Sequence, residues 1–113
     1  MPSICYNLSM LETFLWFLAG HFIGDFPFQS EWMVIEKGKS WEINGYHAAV
    51  YTASMFLVAQ IGGIALSPLA LLLFFVSHFL IDPLKARWKI IKSIWIDQLL
   101  HFLVILLVLF YFI

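Results

Sequence analysis

Apolar residues dominate four stretches of the chain, 9–28, 43–66, 68–84 and 94–113, and polar residues interrupt them at only a few positions. Each stretch is roughly 17–24 residues long, against the ~20 that a helix needs to cross a bilayer, so four crossings fit and five do not. Ser67-Pro68 marks a tight exit and entry, because proline suits the first turn of a helix. Gly62-Gly63 just before it is placed to end or loosen the second helix. Pro27 and Pro83 are expected at helix ends, since each removes a backbone donor and crowds the carbonyl four residues earlier. Between the first two stretches, 28–41 mixes Phe28, Trp32, Met33 and Ile35 with Glu31, Glu36 and Lys37, the composition of an amphipathic helix lying on a membrane surface. The expected fold is all-α: an integral membrane up-down bundle of four transmembrane helices, with a short interfacial helix after the first, in a single domain over 1–113.

The polar interruptions follow a rule. His21, Asp25 and Gln29 recur every four residues, which at about 100° per residue gathers them into one stripe of a helix. His78 with Asp82 and Asp97 with His101 repeat the spacing, and His47 stands near the start of the second apolar stretch. An ionisable group at the centre of a membrane helix costs roughly 2.5–3.5 kcal/mol on insertion scales, so these positions call for a function. Gly20-xxx-Gly24 and Ala49-xxx-Ala53 flank two of the histidines, and small residues at this spacing let helices approach closely.

Composition agrees with the pattern. Of 113 residues, 63% are hydrophobic and only 12% charged, with a mean hydropathy of +0.93. A soluble domain carries about 25% charge, so the water-soluble classes are set aside. The net charge of −1 says nothing about nucleic acid, but no basic stripe runs along any one face, so nucleic acid is not expected as a partner. Cys5 is the only cysteine, so no internal disulfide can form, and no basic run precedes the first apolar stretch, so a cleaved leader is not expected.

Orientation follows from the basic residues. Lys37 and Lys39 fall in the first connection and Lys85, Arg87, Lys89 and Lys92 in the third, which puts both connections in the cytoplasm and both termini outside. Trp32, Trp41, Trp88 and Trp95 lie beside those connections, as interface anchors do. With a rise of about 1.5 Å per residue, His21, Asp25, Gln29, His47, His78, Asp82, Asp97, Gln98 and His101 then all lie within about 10 Å of the cytoplasmic boundary. The outer parts of the last two stretches are almost purely apolar.

Three uses of such a cluster differ in what they require. Simple hydrogen-bonding between helices returns only about 0.6 kcal/mol per contact, far less than burying seven ionisable groups costs. A proton or cation pathway commonly uses chains of Asp and His, but here the polar residues stop about one third of the way across. A metal site fits best: His21, Asp25, His47, His78, Asp82, Asp97 and His101 offer enough ligands for one fully ligated ion or for two that share a carboxylate. Nitrogen and carboxylate donors without thiolate suit a divalent transition metal, Zn, Mn or Fe. Some aspartates can instead fix the tautomer of a neighbouring histidine. Haem would leave the aspartates without a task.

The set His21-Phe-Ile-Gly-Asp-Phe-Pro-Phe-Gln29 with Trp32, Met33 and Lys37, then His47, then His78-Phe-Leu-Ile-Asp82 with Lys85, then Asp97-Gln98-Leu-Leu-His101, resembles a family of small bacterial and phage membrane proteins that carries a domain-of-unknown-function label. The likeness runs over nearly the whole chain and implies a bacterial or phage-encoded four-helix membrane protein in the inner membrane. The chain is also distantly similar to membrane-bound metal-dependent hydrolases. The expected function is a metal-dependent hydrolase of a lipid or lipid-phosphate substrate, with membrane lipids as partners and a homo-oligomer left open. A metal-activated water near the interface would meet headgroups, esters and phosphates. In that reading Asp97 serves catalysis, Gln29 and Gln98 orient water or substrate, and Lys85 (in helical phase with His78) holds an anionic group. The alternatives are an ion, proton or small-solute translocator and a metal-stabilised interaction protein.

Overall fold

The structure, a computed structural model, describes residues 10–25 and 31–112; Pro27 and Gln29 lie outside the described residues. Within them the chain forms five helices and no strand: α1 (Met10–Asp25), α2 (Glu31–Glu36), α3 (Trp41–Ile61), α4 (Pro68–Ala86) and α5 (Ile94–Phe112). Local chemistry sets the ends. The Ser40 hydroxyl accepts from the Ile43 N–H at 3.3 Å and opens α3; the Ser67 hydroxyl accepts from the Ala70 N–H at 3.2 Å and opens α4, with Pro68 in its first turn. α3 stops at the expected glycines. The Ile64 N–H returns to the Ala59 carbonyl at 2.8 Å and the Gly63 N–H to Gln60 at 3.3 Å, with Gly63 at φ +72°, which is a Schellman cap. Ile64 and Ala59 both enter the core beneath it.

Two expectations change. Among the described residues between α1 and α3, Glu31–Glu36 are helical, after which a turn delivers Ser40 to its capping position. Pro83 does not end α4; the helix continues to Ala86. A proline inside a helix leaves the carbonyl four residues earlier, here that of Phe79, without its usual donor. The buried Asn44 of α3 fills the gap, donating its side-chain amide to the Phe79 oxygen at 3.0 Å.

The four longer helices close a ring in which α1 packs on α3, α3 on α4, α4 on α5 and α5 on α1. Neighbours run antiparallel. Asp25, at the end of α1, meets His47 near the start of α3, whereas Trp16, earlier in α1, meets Gly62 just past the end of α3. The α1–α3 contact is close: a Cβ on Gly24 would stand 3.0 Å from the Tyr51 Cα, so the Gly20–Gly24 pair does permit tight approach. Away from the cluster the ring is filled by Phe17, Met55, Phe74, Ile105 and Val108, all fully buried, with Phe17 and Phe74 edge to face at 5.6 Å. Two helices, α4 and α5, are long and apolar enough to cross a membrane. α1 is described over 16 residues, and α3, at 21 residues, carries Glu42, Asn44, His47, Thr52, Ser54 and Gln60 along its length.

Candidate metal centre

The four-residue spacing on each helix places His21 above Asp25 on α1, His78 above Asp82 on α4 and His101 beyond Asp97 on α5, all facing the ring interior. α3 adds His47. All seven residues are buried, none more than 4% exposed.

Three imidazole nitrogens converge on three carboxylates. The His47 Nε2 lies 3.1 Å from Asp25 Oδ1 and 3.1 Å from Asp82 Oδ2. The His78 Nε2 stands 3.6 Å from the same Asp25 oxygen and 3.5 Å from the same Asp82 oxygen. The His101 Nε2 stands 3.6 Å from Asp82 Oδ1 and 3.7 Å from Asp97 Oδ1. These latter separations are too long for hydrogen bonds. They match the spacing of ligand atoms around one tetrahedral ion with bonds of about 2.0–2.1 Å, which stand roughly 3.3 Å apart.

The atoms fall into two groups, Asp25–His47–His78–Asp82 and Asp82–Asp97–His101, within each of which the candidate ligand atoms lie within 4.8 Å of one another. Asp82 belongs to both and turns a different oxygen to each. Either group could hold a metal ion. Among the described residues, both ring nitrogens of His78, the His101 Nε2 and the Asp97 Oδ1 are buried without a hydrogen-bond partner. Leaving a buried polar atom unsatisfied costs about 1–3 kcal/mol, so a cluster of them at one point is the mark of a ligand site.

A sequence model of one family matches residues 13–113, a span that takes in the whole cluster. The chain belongs to DUF3307, a family of proteins of unknown function. No curated protein and no solved structure matches the chain.

Within this DUF3307 chain the structure brings six of the seven expected ligands together: Asp25, His47, His78, Asp82, Asp97 and His101. His21 stands beside them with both nitrogens taken. Gln98 donates its amide to Asp97 Oδ2 at 3.3 Å, which turns its Oε1 toward His21 at 2.7 Å. His21 therefore donates from Nε2 and accepts at Nδ1 from the Tyr51 hydroxyl at 2.8 Å. That tautomer leaves no lone pair for a metal. Gln98, expected to orient water or substrate, is held by His21 and Asp97. Lys85 is half-buried on the last turn of α4 and makes no ion pair among the described residues, whereas Gln29 lies outside them.

Two contributors escaped the sequence reading. Tyr51 stacks on His78 with ring centroids 4.0 Å apart and planes 13° apart while its hydroxyl serves His21. It follows His47 by four residues, the same spacing that marks the other pairs, and that was the available signal. Lys37, counted only as a topology charge and as part of a motif, puts its ammonium 2.9 Å from Asp82 Oδ2, with its side chain only 11% exposed.

Proposed function

We propose that this protein is a metal-dependent membrane enzyme, a hydrolase of a lipid or lipid-phosphate substrate at the cytoplasmic interface of a bacterial inner membrane. The observation that carries the reading is the convergence of three imidazole nitrogens on three carboxylates in a buried site, with His47 at hydrogen-bond distance and His78 and His101 at longer separations suited to shared metal ions. Zn, Mn and Fe all suit these donors. A divalent ion held there would acidify a water molecule and draw charge from a phosphoryl or carbonyl oxygen. Asp97, whose Oδ1 lacks a hydrogen-bond partner, would hold the ion of the three-ligand group beside the position left open to water.

An inverted distribution of polarity supports membrane insertion of all four long helices. The histidines and aspartates are inside, whereas Leu69, Leu72, Leu80, Leu103 and Phe110 are more than half exposed on the outer faces of α4 and α5. The longest dimension, 47 Å, suits a bilayer of about 40–45 Å including headgroups. The placement of five basic residues in two connections at the cluster's end, with Lys85 on the last turn of α4 beside the second, supports an orientation with both termini outside. A groove of about 400 Å³ between α1 and α5, lined by Phe22, Trp95, Leu99 and Phe102 with Gln98, supports a substrate with an apolar tail.

The different-class alternative is a translocator. It needs polar groups across the whole hydrocarbon thickness of ~30 Å, and beyond the cluster the ring is filled by Phe17, Met55, Phe74, Ile105 and Val108. Asp97→Asn separates the two readings, because it keeps the shape and removes a charge. In liposomes, headgroup release from a mixed lipid panel should be abolished in the variant while its helical content is retained. Proton or divalent-cation flux that depends on Asp97, with no chemical change in any lipid, would establish translocation instead.

A further inference from the structure

The charges of the cluster determine what it can bind once metal is present. Asp25, Asp82 and Asp97 are buried together, and imidazoles that ligate a metal do so uncharged, so the histidines add nothing to the sum. Lys37 supplies one positive charge at 2.9 Å from Asp82. Three carboxylates and one ammonium leave two negative charges. A single divalent ion would neutralise them. Two divalent ions would leave two positive charges in a buried site, and burying such an excess is costly unless an anion enters with it.

The geometry favours two ions. Asp82 Oδ2 faces His47 and His78 and Asp82 Oδ1 faces His101, so its two oxygens serve different groups. The first group has four ligands and is closed; the second, Asp82–Asp97–His101, has three and retains an open position. Ions in paired sites of this kind bind the oxygens of phosphoryl groups.

The position of Lys37 is built into the fold. A Cβ on Gly38 would collide with the Ala86 carbonyl oxygen, so only glycine lets the connection pass so close to the end of α4. Arg87 then fastens it, donating to the Lys39 carbonyl at 3.2 Å while its guanidinium lies 4.8 Å from the Trp41 ring centroid. Lys85, at the rim on the same end of α4, adds positive charge rather than offsetting it.

We infer that the cluster takes two divalent ions sharing Asp82 and, once loaded, binds a phosphate group carrying two negative charges, with Lys37 as the fixed positive charge that sets this requirement. The inference rests on the metal reading above and narrows it from lipid esters in general to phosphate monoesters. Free inorganic phosphate and a phosphorylated lipid headgroup share this chemistry.

The test uses the full chain purified in mild detergent. Manganese is titrated in and counted, and binding of inorganic phosphate to the loaded protein is followed by calorimetry, with dioleoyl phosphatidic acid and dioleoylglycerol in separate arms. Two equivalents of manganese and saturable binding of phosphate or phosphatidic acid are expected, with none for the uncharged diacylglycerol. The tighter of the two names the source of the phosphate. Lys37→Met should hold manganese more tightly and phosphate at least about fivefold more weakly, since even in water two unit charges 4 Å apart interact by about 1 kcal/mol. Lys37→Arg should resemble the wild type, and Lys92→Met, exposed on the connection between α4 and α5, should not differ from it. Protein that takes up no metal would overturn both readings. One equivalent of metal, or two with no phosphate binding, or equal phosphate affinity in Lys37→Met, would overturn this inference and leave the metal reading standing.

Discussion

Tyr51 serves two histidines that do different work. Its hydroxyl occupies the one lone pair of His21, and its ring face holds His78 with both nitrogens unengaged. His21 and His78 look equivalent in sequence, each followed by an aspartate four residues on, yet only His78 is available to a metal. His78→Ala should therefore lower metal affinity by at least about tenfold, in line with or beyond the losses caused by removing groups that merely orient ligands. His21→Ala should retain the metal and instead destabilise the fold by about 1–3 kcal/mol, because it leaves the Tyr51 hydroxyl and Gln98 unpaired in a buried site. Metal titration beside unfolding in SDS checks both; a loss of metal equal in the two variants would contradict the distinction. Six candidate ligands were legible because a costly residue type recurs at one depth, five of them in pairs at one spacing. The role of His21 was not, because it depends on the rotation of Gln98, seventy-seven residues away in sequence.

Pro83 and Asn44 form a unit that belongs to two helices. The proline deprives the Phe79 carbonyl of its intrahelical donor, and the Asn44 amide replaces it from α3. Asn44→Ala should cost about 1–3 kcal/mol, since a buried carbonyl is left without a donor. In a Pro83→Ala background the helix supplies its own N–H to Phe79, and the same substitution should cost measurably less. A double-mutant cycle by SDS unfolding should give a coupling of at least about 0.5 kcal/mol; strict additivity would show that the two residues act independently. Helix ends governed by neighbours in sequence were readable: Ser67-Pro68 opens α4, and Gly62-Gly63 closes α3. The continuation of α4 past Pro83 was not, because the compensating donor comes from another helix. The end of α2 at Glu36 was hidden for a related reason: the 28–41 stretch has an amphipathic composition throughout, but Ser40 is drawn off to cap α3.

At the scale of the molecule, alternating helix directions turn local spacing into a single layer. His and Asp lie late in α1 and α4 and early in α3 and α5, so an antiparallel ring brings them to one end. The remainder of the ring is apolar apart from the buried Thr13 and Ser54, and both basic connections lie at the cluster's end. Asp82 links the layer, touching the two ligand groups and Lys37 at once. Elemental analysis of gently purified protein, with Asp82→Asn beside the wild type, is therefore the most direct measurement. Close to two equivalents of Zn, Mn or Fe per wild-type chain are expected, with most of the metal lost from Asp82→Asn. Wild-type protein that carries no transition metal and binds none on titration would show that this buried layer is not a metal centre.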